Sequence, residues 1–122
     1  MDYVRRVDFD ALLRTDERTS QSLLDASSGA GNCAVSCVKT PHGLGSPAGL
    51  HTHLVDQLFY VLQGTMTVEI AGITGSAGPG TLVVFPAGMP HRNWNDGPED
   101  TIHLAVVAPV PQADLPFATP VA

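Results

Sequence analysis

The sequence predicts an all-β fold, a sandwich or barrel, and three observations carry that expectation. Strand signals rich in Val, Ile, Thr and Phe recur along the chain, separated by Gly or Pro turns at a spacing of roughly eight to twelve residues. Gly 12 and Pro 10 exceed ordinary usage and predict many tight turns. The chain has 122 residues, 43% hydrophobic and 15% charged, which suits one core and one domain spanning residues 1–122.

The elements follow in order. Val7–Arg14 has a mixed period and reads as a short strand or a helical turn. Arg18–Leu24 alternates poorly and reads as an edge strand. Residues 26–32 are a Ser- and Gly-rich turn cluster. Strand signals then fall at residues 32–39, 49–54, 57–62, 65–70, 81–85, 91–95 and 101–107. Gln63-Gly64 reads as a tight hairpin loop. Ala71-Gly72 and the run Gly75–Gly80 read as further breaks, as does Pro86–Pro90. The tail, residues 109–122, holds four prolines and cannot form a helix or a central strand. It is expected on the surface, with Leu115 and Phe117 pinning it down or reaching a partner subunit.

Charge excludes some functions. The net charge is −6 and only six residues are Lys or Arg, too few for a stripe that follows a phosphate backbone. An acidic surface also disfavours anionic membranes. No segment approaches the roughly 18 apolar residues of a membrane span. No apolar run follows the arginines of Met1–Arg6, so the start does not read as a signal peptide. The expected location is the cytoplasm. Cys33 and Cys37 lie four apart on one predicted strand, about 13 Å at about 3.3 Å per residue. That is beyond the roughly 7 Å a disulfide tolerates, so they are expected as free, buried thiols packing beside Val35.

The histidines carry the chemistry. His51 and His53 are two apart on a predicted strand, so both rings point to one face. Their Cα atoms are then about 6.6 Å apart, and the rings can converge on one metal. Gln57, six residues after His51, reaches the same face if the chain stays extended. His91 comes from another strand. A ligand set drawn from two strands inside a barrel suits an open metal site. His42, in a Gly- and Pro-rich loop, reads as a surface residue.

Two longer patterns resemble the cupin family. Gly45, five residues, His51-Thr52-His53, three residues, Gln57, six residues and Gly64 resemble the first cupin motif, with Gln57 where the family has an acidic residue. Gly80, five residues, Pro86-Ala87-Gly88, two residues, His91, three residues and Asn95 resemble the second at every fixed position. The resemblance implies a jelly-roll barrel of about six to eight strands holding one divalent ion on His51, His53 and His91, with position 57 as fourth ligand. Zn, Fe, Ni, Co, Mn and Cu all suit three His and an oxygen donor. Gln57 still offers a carbonyl oxygen but no negative charge, which favours Lewis-acid chemistry over a carboxylate base.

His103 alternates with Ile102 and Leu104 on the last strand. It faces the interior as an extra ligand or acid–base group, or else the surface; cupins that resemble polyketide cyclases use such a His together with a Gln. Asn93 and Asn95 share parity with His91 and are candidate polar groups of the pocket. Phe59, Val61, Met66, Val68, Phe85 and Trp94 are candidates for its lining, and Arg92 is expected in solvent. The functions implied are a cyclase, isomerase or lyase acting on a small metal-chelating molecule, an iron-dependent dioxygenase, or a non-enzymatic metal-dependent sensor. A cupin that has lost its metal is a further alternative, disfavoured by the cost of three orphaned rings in an apolar barrel. Open sheet edges and the family's habits predict a homodimer, the amino-terminal strands and the tail covering the edges.

Overall fold

The computed structural model describes residues 2–121; Met1 of the amino-terminal run and Ala122 of the tail lie outside the described residues. One short helix, α1 (Phe9–Leu13), precedes ten strands. These are β1 (Thr19–Leu24), β2 (Ala34–Thr40), β3 (His51–Thr52), β4 (Asp56–Gln63), β5 (Met66–Ile70), β6 (Ile73–Ala77), β7 (Leu82–Phe85), β8 (His91–Trp94), β9 (Thr101–Ala108) and β10 (Thr119–Pro120). They form two five-stranded antiparallel sheets, ordered β1-β2-β9-β4-β7 and β10-β3-β8-β5-β6. Two strands more than the upper end of the expected range are present among the described residues, β6 and β10.

Strand alternation separates the two faces of the first sheet. Val38 pairs with His103, and Val61 with His103 on the other side. This face turns toward the second sheet, and Val38, Phe59, Val61, Met66, Val68 and Phe85 fill the core between them. The opposite face carries Cys37 and Ile102, covered by Leu12 of α1. The mixed period of residues 7–14 resolves as a helix because Asp8 caps it, its carboxylate accepting from the Ala11 N–H at 3.1 Å. Leu12 is then fully buried, which stabilises by about 2 kcal/mol. Cys33 lies outside β2 and is half-buried; Cys37 is buried, and both thiols are free.

The structure corrects two turns and one strand. Gln63-Gly64 is not a hairpin loop: β4 and β5 belong to different sheets. Gly64 has φ +73°, and a Cβ there would lie 2.6 Å from the Asp100 carbonyl oxygen, so the close crossing between sheets is what needs glycine. Residues 71–72 do not merely break a strand. Ile70 pairs with Ile73 across Ala71 (φ 51°) and Gly72 (φ 81°), a two-residue hairpin that launches β6. The strand expected over residues 49–54 shrinks to His51–Thr52, because the chain then bends from the second sheet into the first. The tail leaves the first sheet after β9 and ends as β10, the edge strand of the second sheet, paired with β3 where Pro120 is tolerated.

Candidate metal centre

His51 opens β3 and sits in register with His91, the first residue of β8. Directly opposed residues of antiparallel neighbours point the same way, and the two ring centroids are 4.4 Å apart. His53 follows β3, 4.7 Å from the His51 ring and 4.8 Å from the His91 ring. All three are buried between the sheets, and their candidate ligand atoms lie within 4.8 Å of one another.

Backbone carbonyls fix the tautomers. His51 Nδ1 meets the Gly49 oxygen at 2.5 Å, His53 Nδ1 the Phe117 oxygen at 2.7 Å, and His91 Nδ1 the Met89 oxygen at 3.0 Å. A carbonyl only accepts, so each Nδ1 carries a hydrogen, and in the neutral ring Nε2 is then the atom that presents a lone pair. The Nε2 atoms of His51 and His53 are 3.2 Å apart. His91 Nε2 is buried with no hydrogen-bond partner. Three converging lone pairs, one of them orphaned, fit a cation, and anchoring of the second nitrogen is how metal-binding histidines are oriented. Bonds of about 2.1 Å in a tetrahedral site hold nitrogens about 3.4 Å apart, so the most widely spaced of the three, within 4.8 Å now, need only a side-chain adjustment of roughly an ångström to close on an ion. Burial pushes the His91 pKa down to about 4 and that of His53 below its ordinary value. Both rings are therefore neutral, the form that ligates, at neutral pH.

Gln57 reaches the interior by another route than the one the spacing predicts. The chain does not stay extended from His51; it bends at residues 54–55, and Gln57 enters from β4 on the facing sheet. It lies beside His53 and lines the same cavity. The bend is held by the second motif, with Asp56 accepting from the Ala87 N–H at 2.8 Å and the His53 carbonyl from the Gly88 N–H at 2.8 Å.

The cavity, about 300 Å³, is lined by His51, His53, Gln57, Phe59 and Asn93, together with Arg18. An adjoining space of about 260 Å³ extends to His103, Val38 and Ala105. His103 faces inward. It is fully buried, stacks on Phe59 at 4.0 Å, and neither ring nitrogen has a partner. Burial lowers its pKa to about 3, with a further push from the Arg18 charge.

Other candidate residues land elsewhere. Val61, Met66 and Phe85 fill the core rather than line the cavity, although Phe85 packs on the His91 ring at 4.3 Å. Trp94 alternates with Asn93 and so faces away, under the Arg92 guanidinium at 5.0 Å. Arg92 pairs with Glu69 at 2.9 Å. Asn95 is buried but serves the loop: it donates to the Thr40 and Glu99 carbonyls and accepts from Gly97 N–H. His42 is exposed, with Nδ1 2.7 Å from the Gly97 oxygen. The residue that sequence reasoning missed is Arg18. It stands just ahead of an edge strand, where a cation ordinarily reads as solvated. The available signal is parity: Arg18 is in step with Ser20, which pairs with the inward-facing Val38.

Comparison with known proteins agrees with this geometry. The cupin domain family matches residues 38–107, more than half of the chain. No curated protein matches the sequence. Among solved structures, a conserved protein with a double-stranded β-helix domain from Klebsiella pneumoniae superposes with a TM-score of 0.75 at 22% identity, over 97% of this chain and 93% of that one. A Cupin 2 conserved barrel domain protein from Salinispora arenicola gives 0.71 at 20% identity, over 88% and 89%. KdgF from Halomonas sp. gives 0.66 at 22% identity, over 83% and 86%. At such identities the likeness speaks for the fold. Together with the family match over both motifs, it places this chain in the cupin domain family.

Proposed function

We propose that the protein is a small metalloenzyme that uses one divalent ion on His51, His53, His91 and Gln57 for Lewis-acid chemistry on a small chelating organic molecule, as a cyclase, isomerase or lyase. The observation that carries the reading is the set of three backbone carbonyls that turn three buried Nε2 lone pairs onto one point. A resident ion supplies polarisation of a coordinated oxygen. The chain supplies the rest. Imidazole rings and an amide ligate without a formal negative charge, so an ion held by His51, His53, His91 and Gln57 keeps its full charge. Phe59 and Phe117 give the cavity an apolar lining beside the histidines, and apolar surroundings strengthen electrostatic interactions. His103 is a neutral imidazole on the opposite sheet, able to hold or pass a proton at either ring nitrogen.

Elemental analysis of the purified full chain tests the metal half of the reading. The expected result is about one equivalent of a first-row transition metal, lost in His51→Ala. Protein that neither carries nor takes up a metal would sink it. The identity of the ion then divides the chemistry: zinc with no oxygen consumption supports the Lewis-acid reading, whereas iron with substrate-dependent oxygen uptake assigns a dioxygenase instead.

A further inference from the structure

Arg18 is a cation without a counter-ion, inside a cavity that lacks one. Its backbone precedes β1, on the sheet facing the three histidines, and its side chain lines both the histidine cavity and the adjoining space below His103. Its Nε is buried and has no hydrogen-bond partner. Among the described residues the one ion pair is Arg92–Glu69, on the outer surface. No carboxylate lines the histidine cavity. The adjoining space has Asp25 at its rim, but that side chain is exposed and is taken up by the Ser27 N–H and hydroxyl. A guanidinium does not shed its proton in a protein, and a buried donor left unpaired costs about 1–3 kcal/mol. In a chain of net charge −6, an unpaired inward-facing arginine is conspicuous.

We propose that Arg18 binds the carboxylate of a small organic acid in this cavity, its planar fork fixing the acid so that an oxygen at the other end of the molecule faces His51, His53 and His91. The second clause rests on the metal reading above; the first does not. Two features favour a carboxylate over a phosphate. One guanidinium fork matches one monoanionic carboxylate in a bidentate pair, and no second cation lines either space to balance a dianion. The cavity volumes of about 300 and 260 Å³ are at or below the lower end for ligand pockets, which suits an acid of one ring or a short chain. His103, with both nitrogens unpartnered beside Arg18, is a donor or acceptor for a hydroxyl or carbonyl on the same molecule.

The test is calorimetric binding of matched pairs to the full chain, zinc-loaded and metal-free: glycolate with glycolamide, lactate with lactamide, mandelate with mandelamide, and phosphoglycolate as the phosphate arm. The expected result is that at least one acid binds tenfold or more tightly than its amide. Arg18→Gln should cut that ratio at least fivefold with zinc content unchanged, and Arg18→Lys should keep part of it. Zinc itself prefers a carboxylate to an amide, so the ratio left in Arg18→Gln measures the ion's share. Persistence of an Arg18-dependent ratio in metal-free protein supports the proposal even if the metal reading fails. A wild-type protein that binds no acid better than its amide, or an Arg18→Gln ratio equal to the wild type, overturns it. Phosphoglycolate binding more than tenfold tighter than every acid overturns it in favour of a phosphate ligand.

Discussion

His53 donates from Nδ1 to the Phe117 carbonyl at 2.7 Å, across 64 residues of chain. The two rings also stack, with centroids 4.2 Å apart. The tail is thus part of the candidate site, not decoration on the barrel. Removing residues 109–122 takes away the acceptor that fixes the His53 tautomer. Loss of such an outer hydrogen bond typically costs about 10–100-fold in metal affinity, and that is the expected fall, measured by competition with a chromogenic chelator. Phe117→Ala keeps the backbone acceptor and should lose much less. Equal affinity in truncated and full-length chains would mean the tail plays no part in holding His53.

Gln57→Glu should raise metal affinity and lower anion affinity together. A carboxylate adds a charged ligand on the β4 side of the cavity, and it also faces Arg18, which lines the same space. Zinc affinity is expected to rise about tenfold or more, since one unit charge at these distances is worth at least about 1.4 kcal/mol. Acid binding should weaken in the same protein. A rise in both would indicate that position 57 is remote from Arg18 in solution.

Asn95 closes the second motif without touching the histidines. Its amide donates to Thr40 and Glu99, and its oxygen accepts from Gly97. Asn95→Leu removes three hydrogen bonds to backbone groups of a buried loop, leaving the Thr40 carbonyl only its longer one from the Thr101 hydroxyl at 3.4 Å, at about 1 kcal/mol each. A loss of about 2–4 kcal/mol in denaturant unfolding is expected, with zinc stoichiometry of the folded fraction unchanged. Stability within 0.5 kcal/mol of wild type would be the surprising outcome, and would mean that water replaces the amide at about the magnitude of an ordinary surface change.

The barrel, its strands and the converging histidines are legible because they rest on periodicity and motif spacing, which are local. His51, His53 and His91 need only strand parity and one register. What stays hidden depends on which sheet a residue joins. Gln63-Gly64 looks like a hairpin until β4 and β5 prove to lie in different sheets. Trp94 follows directly from parity with Asn93, and reading it as pocket lining gave aromaticity more weight than alternation. Arg18 is more than thirty residues from His51 in sequence, and only closure of the two sheets brings it to the same cavity. The strand β6 is missed because Ile73–Ala77 is mostly small and exposed, so it offers no hydrophobic pattern. Its partner β5 and the turn before it hold it in place.

That turn supplies a stability test. Ala71 has φ 51°, a left-handed conformation that costs an L-residue roughly 1 kcal/mol relative to glycine. Asn-Gly is the favoured pair for a two-residue hairpin of this kind. Ala71→Asn, and Ala71→Gly to a smaller net extent, should therefore stabilise the protein by up to about 1 kcal/mol, read as a shift of the thermal midpoint upward by a few degrees. A lowered midpoint in both variants would contradict the turn geometry.

His103 tests whether a group kept at a cost to stability is kept for binding. Both its nitrogens are buried and unpaired, and its pKa falls to about 3 because burial disfavours the charged ring. The unfolded chain binds a proton near the ordinary histidine value of about 6.5. Between those two values the unfolded state carries more protons, so stability rises with pH across the window and is lost as pH falls from about 6.5 toward 3. His91, lowered to about 4, acts in the same direction over most of that window. His103→Leu replaces a buried orphan by an apolar group of similar volume, which is often neutral or stabilising. Metal-free His103→Leu is therefore expected to be at least as stable as wild type at pH 7 and to lose less stability between pH 6 and pH 4, by urea unfolding at each pH. The same variant should bind the preferred acid about tenfold more weakly, if the imidazole meets the ligand. A variant that is more stable, has a flatter pH profile and binds the acid unchanged would reduce His103 to a packing residue.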